Sequence, residues 1–349
     1  MKRRSCILAA AVLGVLAAAA LAFSLWWCEP SRRLVRAVDL HATAPDVRFG
    51  VYFYPWYDKG RWAVPRRHTP LRGEYDSTDP GLIAAQMDEI RSAGFDYVII
   101  EMVPPDDHAF GVVEKGIEAA VARLREIGME WTFLIDAAFL LAPERTAKIH
   151  DMMAYIEKRG WTDGLTDGPT GRDLLLVFAP DAHEADLLLD RYGGRYELRF
   201  PNFHPRWSMA VDEEIIIPGP RTGRLREKAR TGRVSIYEYL KALGFIAFWT
   251  ETGQMRLFDG FVSVVPGYDD TLLERTPQVA PIVGRREGRT YAEQLERAMA
   301  LGPEHVLVYS WNEYLEATAI EPTREFGRLY VDMTRRFIER VRSARAQAH

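Results

Sequence analysis

Apolar residues in this chain fall into short, nearly continuous runs, separated by longer stretches in which they recur every three or four positions. Continuous runs of about 4–8 residues mark strands buried on both faces, and the three-to-four spacing marks amphipathic helices. Residues 47–54, 95–101, 130–136 and 174–178 read as four such strands. Helices are expected over 79–93, 112–127 and 143–158. Asp79-Pro80 supplies an N-cap and first-turn proline for the first helix, and Gly94 and Gly128 supply stops. Further strand-like runs at 196–200, 245–249, 261–265 and 306–309 bring the count to eight. Eight buried strands alternating with helices predict an α/β fold, a closed (β/α)8 TIM barrel over residues 47–343, rather than an open sheet. Residues 201–243 break the regularity, and no strand is assigned there.

The amino-terminal region follows a different pattern. Lys2-Arg3-Arg4 precedes an apolar stretch over 6–27 that ends at Trp26-Trp27. A span of about 20 apolar residues crosses a bilayer, and paired tryptophans suit its interface. Residues 1–28 are therefore expected to be an uncleaved signal anchor, with a cleaved signal peptide as the alternative, since Ala18 to Ala22 offer small residues for cleavage. Residues 29–46 read as a tether. Either reading places the barrel on the extracytoplasmic side, membrane-anchored or secreted.

Composition narrows the function classes. The 349 residues are 48% hydrophobic with a net charge of −4, so no global field favours nucleic acid. The two cysteines, Cys6 and Cys28, both lie in the amino-terminal segment, which leaves the body without a disulfide or thiol nucleophile. Eight histidines show no paired spacing, and Asp106-Asp107-His108 reads as a polar loop, so no metal or cofactor is expected. Six basic residues within 221–233 read as a solvated loop, with a site for acidic glycans or anionic headgroups as the alternative. Nine tryptophans and fifteen tyrosines suit a sugar-binding cleft, where flat rings pack on pyranose faces, and also suit a large core.

Candidate chemistry gathers where strands end, the face at which barrel active sites form. Tyr54-Pro55-Trp56-Tyr57 follows the first strand, Glu101 ends the second, and Asp136 ends the third. Pro266-Gly267-Tyr268-Asp269-Asp270 follows the seventh. After the eighth comes Ser310-Trp311-Asn312-Glu313-Tyr314-Leu315-Glu316, running on to Ile320-Glu321-Pro322. Positions i and i+3 of a continuing strand face opposite sides, so Glu313 and Glu316 converge only if the chain turns after Asn312. Two carboxylates in one aromatic-lined pocket are what glycosidic cleavage needs. A surface turn holding two glutamates is the alternative.

Taken together over residues 49–337, these anchors resemble glycoside hydrolase family 99, the endo-α-mannosidases and related proteins of bacterial polysaccharide loci. The resemblance is carried by Tyr52-Phe53-Tyr54-Pro55-Trp56-Tyr57, Gly73-Glu74-Tyr75-Asp76-Ser77, Ala93-Gly94-Phe95-Asp96, the 265–271 segment and the block from Trp311 to Pro322. It implies a barrel enzyme that retains anomeric configuration. Glu313 would act as base on the sugar's own 2-hydroxyl, giving a 1,2-anhydro intermediate, and Glu316 as general acid/base. Substrate contacts are expected from Tyr54, Trp56, Tyr57, Asp136, Tyr268, Asp269, Asn312 and Glu321, although Asp269 alternatively caps a turn and Glu321 alternatively orients its loop. A raised pKa is expected for Glu316 and an ionised Glu313. The pocket wall departs from the family pattern: Tyr314, Leu315 and Ala317 stand for Trp, His and Gly. Likewise Glu101-Met102-Val103 replaces a Ser-Trp pair, and Asp136-Ala137-Ala138 replaces Glu-Pro-Tyr. The expected function is a retaining hydrolase of an α-linked, mannose-containing glycan. Alternatives are an enzyme trimming or transferring glycan in polysaccharide assembly, or a catalytically idle glycan-binding protein.

Overall fold

A computed structural model describes residues 47–136, 144–178, 182–199, 260–273 and 283–348. The expected amino-terminal anchor and tether, the strand at 245–249, and the basic 221–233 loop lie outside the described residues. Among the described residues seven strands form one sheet: β1 (Arg48–Phe53), β2 (Tyr97–Met102), β3 (Glu130–Asp136), β4 (Asp173–Phe178), β5 (Tyr196–Arg199), β6 (Phe261–Val264) and β7 (His305–Val308). Their order is β5-β4-β3-β2-β1-β7-β6, and every pairing is parallel. The last strand thus returns beside the first, with Gly50 against Leu307 on one side and Tyr97 on the other. This curled parallel order fits a (β/α)8 barrel.

Among the described residues seven α-helices accompany the strands: α1 (Lys59–Trp62), α2 (Pro80–Ser92), α3 (Phe110–Ile127), α4 (Glu144–Lys158), α5 (Ala182–Tyr192), α6 (Arg289–Ala300) and α7 (Leu329–Ala348). The Asp79 cap forms as the sequence indicates, its Oδ1 accepting from the N–H groups of Gly81 and Leu82 at 2.9 and 3.2 Å. The last helix runs past the expected domain end at 343. Among the described residues no helix is long and apolar enough to cross a membrane.

Strand alternation separates two apolar clusters. One side of each strand packs Val51, Val98, Phe133 and Val306 against the helices, for example Ile83 and Met87 of α2 and Ile117 and Val121 of α3. The other side points Tyr52, Ile99, Leu134 and Leu307 into a second, interior cluster. Each such buried aliphatic contributes about 1.5–3 kcal/mol, so the two layers together fix strand register. Two glycines make close approaches possible. A Cβ on Gly50 would sit 2.5 Å from the Tyr97 ring, which lies across β1. A Cβ on Gly116 would sit 2.6 Å from Pro55, so α3 can press directly on the loop after β1. At the amino-terminal end of the interior, His305 Nδ1 lies 3.0 Å from the Tyr97 hydroxyl and stacks on Phe261. Burial pushes its pKa down to about 3, so the imidazole stays neutral. By the same alternation Tyr54, Glu101, Asp136 and Tyr309 occupy interior-facing positions at the opposite, carboxyl-terminal end.

Candidate active site

The chain does turn after Asn312, and the turn is built from the acid that follows it. Glu313 Oε1 accepts the backbone N–H of Leu315 at 2.7 Å and that of Glu316 at 3.3 Å. Its own N–H donates to Ser310 Oγ at 2.8 Å. The Glu313 side chain therefore winds its own loop and brings Glu316 onto the same side. Glu316 is half-buried, and the Tyr309 hydroxyl donates to its Oε2 at 2.7 Å. From the loop after β6, the N–H of Asp269 donates to the Glu316 carbonyl at 2.9 Å.

The electrostatics of the pair differ from the sequence expectation. Glu313 is 2% exposed, and burial, reinforced by the neighbouring Glu316, raises its pKa to about 8. Arg61 and the two N–H groups of the turn pull in the other direction. Glu313, expected to be ionised, is thus a raised carboxyl, because the loop buries it. The Arg61 guanidinium lies 3.8 Å over the Trp56 ring centre and also draws on Glu101. No sequence signal singled it out, since it sits in the one-turn helix α1 rather than at a strand end.

Aromatic rings wall this region. Tyr54 packs on Trp56 with ring centres 4.7 Å apart and meets Tyr309 edge-on at 6.2 Å. Burial, with Glu101 and Glu313 nearby, pushes the Tyr54 phenol well above its usual range, so it remains a neutral donor. Tyr268 is buried beside the loop and pairs with Val283 through two backbone hydrogen bonds of 2.9 and 2.8 Å.

Three residues expected to touch substrate lie behind the site. Asn312 Oδ1 accepts the Tyr54 N–H at 2.8 Å, and its Nδ2 donates to the Tyr54 carbonyl at 3.0 Å and the Tyr75 hydroxyl at 3.1 Å. The amide thus continues the β1 ladder with side-chain atoms and locks Tyr54 to the loop that carries Glu313 and Glu316. The Tyr57 hydroxyl donates to the Asn312 carbonyl at 2.7 Å and accepts the Tyr314 N–H at 3.0 Å. Glu321 accepts from Tyr75 and Tyr314 on one oxygen, at 3.0 and 2.8 Å, and from Gln86 on the other at 2.9 Å, where Arg72 also pairs at 3.1 Å. Burial raises its pKa, and Arg72 opposes that rise. All three are sealed by protein groups because loops that carry buried backbone must satisfy it locally. Asp269 caps its own turn through Thr271 and pairs with Arg67 at 2.9 Å, which favours the turn-cap alternative for its side chain.

Asp136 and Glu101 stand together at the ends of β3 and β2, where Asp136 lies within hydrogen-bonding reach of the Glu101 carboxyl. Ala317 adopts φ 54, a left-handed conformation that a Cβ disfavours. Arg285 holds that turn by donating to the carbonyls of Ala317 and Ala319 at 2.8 and 2.7 Å, its guanidinium resting 4.5 Å over Tyr330. Among the described residues no cluster of His, Cys, Asp and Glu is arranged to hold a metal ion.

No family model matches the chain. It is similar to glycoprotein endo-alpha-1,2-mannosidase-like proteins. The zebrafish (Danio rerio) protein is 27% identical over 308 residues, covering 79% of this chain and 65% of the relative. The human (Homo sapiens) protein is 24% identical over 323 residues, covering 81% and 67%. The chain therefore spans about two thirds of the length of these relatives. Among solved structures it is similar to the GH99 endo-α-mannosidase from Bacteroides thetaiotaomicron, with TM-score 0.58 and 15% identity, covering 87% of this chain and 100% of that one. The same enzyme in complex with bis-tris propane gives TM-score 0.59 at 16% identity over the same shares.

Proposed function

We propose that this GH99-like chain is a glycoside hydrolase that cleaves an α-linked, mannose-containing glycan and retains anomeric configuration. The observation that carries the reading is the Glu313–Glu316 turn: one buried and one half-buried carboxyl, tied through a shared backbone and walled by Tyr54, Trp56 and Tyr309. The similarity to endo-alpha-1,2-mannosidase-like proteins and to the GH99 fold supports it.

In the proposed mechanism, Glu313 takes the proton of the scissile sugar's 2-hydroxyl as that oxygen attacks the anomeric carbon. The bond from that carbon to the leaving oxygen breaks, and the leaving oxygen takes a proton from Glu316. Water then opens the 1,2-anhydro ring, losing its proton to Glu316, while Glu313 returns its proton to the 2-oxygen. The Tyr309 hydroxyl orients the Glu316 carboxyl through each exchange. Arg61 and the Leu315 and Glu316 N–H groups favour the ionised Glu313 that the first step requires. Tyr54, Trp56, Tyr268 and Asp136 line the sugar. Asn312, Tyr57 and Glu321 position the loop that carries the acids, and Asp269 braces it. The apolar 6–27 segment supports an anchored or exported barrel.

The test is hydrolysis of α-mannan oligosaccharides by wild type, Glu313→Gln and Glu316→Gln. Each variant is expected to lose at least about 10²-fold in rate, the scale of general acid–base catalysis. Glu316→Gln should recover on substrates with good leaving groups, while Glu313→Gln should not. A substrate whose 2-hydroxyl is replaced by hydrogen should not turn over. Full activity in either variant on a natural glycan would remove the assignment.

A further inference from the structure

Glu101 is the buried acid of this barrel mouth that lacks a hydrogen-bond donor. It is the last interior-facing residue of β2, is 1% exposed, and neither of its carboxyl oxygens meets a hydrogen-bond donor. Its near polar neighbour is the Asp136 carboxyl, an acceptor like itself unless one of the two holds a proton. Glu313 lies close enough to raise Glu101 electrostatically, so the site faces three acids, with Arg61 opposing them. Burying a carboxyl without partners costs several kcal/mol unless it is neutralised or paired. Structural acids elsewhere in this fold are saturated: Glu321 accepts four donors. Glu101 meets no such donor and has only a proton shared with Asp136 to draw on, and it stands at the barrel face where ligands bind. A persistent orphan of this kind is expected where a ligand completes it.

We propose that Glu101 and Asp136 form a specificity subsite that receives a hydrogen-bond-donating substituent, a hydroxyl or an amine, of a sugar next to the scissile bond. With one proton between them, the two carboxyls present one donor and several acceptors, which match a sugar hydroxyl. An ammonium group replaces that proton and neutralises the acid excess directly. The subsite rests on reading this barrel mouth as a glycan site, and it makes Glu101 a determinant of which glycan is taken.

The experiment measures binding of α-1,2-mannobiose, and of the same disaccharide with one hydroxyl replaced by an amino group, by calorimetry at pH 7. The full chain is compared as wild type, Glu101→Gln, Glu101→Leu and Asp136→Asn, with thermal melts to confirm folding. Glu101→Leu is expected to weaken both probes by about tenfold or more, since the substituent loses its partners. Glu101→Gln, which keeps a donor and an acceptor, should hold the neutral probe within about threefold and lose any preference for the amine. Stronger binding of the amine by wild type identifies an amino sugar, and equal binding identifies a hydroxyl. Folded Glu101 variants that bind both probes as wild type does would overturn the subsite, as would a folded wild type that binds neither. Hydrolysis is scored separately: binding that depends on Glu101 without turnover sinks the hydrolase reading and keeps the subsite. Turnover indifferent to Glu101 does the reverse.

Discussion

Glu313 accepts the main-chain N–H of Glu316 at 3.3 Å, so the first acid of the candidate pair holds the second in place through its own carboxylate. Protonation of Glu313 therefore bears on loop geometry as well as on proton transfer, because a neutral carboxyl accepts an N–H less strongly than a carboxylate.

The first prediction concerns pH. The profile of kcat/KM reports groups of the free enzyme. If Glu313 is the base, it must lose the proton that burial and Glu316 hold on it up to about pH 8. Activity should then rise with pH through a limb near 8, an apparent value belonging to the coupled pair. A profile that falls through the same region would make Glu313 the proton donor and exchange the two roles.

The same shift has a consequence for stability. Glu313 titrates at the ordinary glutamate value of 4.5 when unfolded, and burial raises it to about 8 in the fold. Below pH 4.5 both states keep the proton. Between 4.5 and 8 the unfolded chain loses it first, so native stability declines with rising pH, and above 8 the cost is constant. Glu313→Gln removes this cost and should stabilise the fold by up to about 4 kcal/mol at pH 8, since each unit of pKa is worth about 1.4 kcal/mol, with no gain at pH 4. Paired denaturant melts at the two pH values check it.

Asn312 is expected to be structural rather than a sugar ligand. Asn312→Ala leaves the N–H and carbonyl of Tyr54 buried without partners and should cost about 2–4 kcal/mol in urea unfolding. Glu321→Gln breaks a four-donor site and should cost a similar amount. Sugar binding by whatever folds should change less than stability does. A large loss of affinity with unchanged stability would restore Asn312 to the substrate contacts.

Ala317 marks where this chain departs from the family pattern, and its φ of 54 carries the strain of a Cβ in the left-handed region. Ala317→Gly should stabilise the protein by about 0.5–1 kcal/mol, after allowing for the greater freedom of glycine in the unfolded chain. A melting temperature that falls instead would show that Arg285, through the carbonyls at 317 and 319, needs the alanine.

The amino-terminal expectation is tested by fractionation. Membrane-associated protein with an intact amino terminus fits an uncleaved anchor at residues 6–27. Soluble protein beginning near Ser24 or Glu29 fits a signal peptide.

Much of this fold was legible in the sequence because local signals agreed with one another. Continuous apolar runs at 95–101 and 130–136 had to be strands covered on both faces, and the Asp79-Pro80 cap had to open a helix whatever lay across from it. The order of strands and acids also placed Glu313 and Glu316 at a strand end, together with Tyr54, Trp56 and Asp136. Tertiary structure decided what those residues do. Sequence spacing cannot register that Asn312 spends its amide on Tyr54, 258 positions away, or that Arg61 leans over Trp56 toward two acids. Burial is set by the whole packed loop, so it fell to the fold to raise Glu313 and to leave Glu101 without a donor. Strand and helix periodicity is written in neighbours along the chain, whereas desolvation and hydrogen-bond satisfaction depend on residues that meet only when the chain closes.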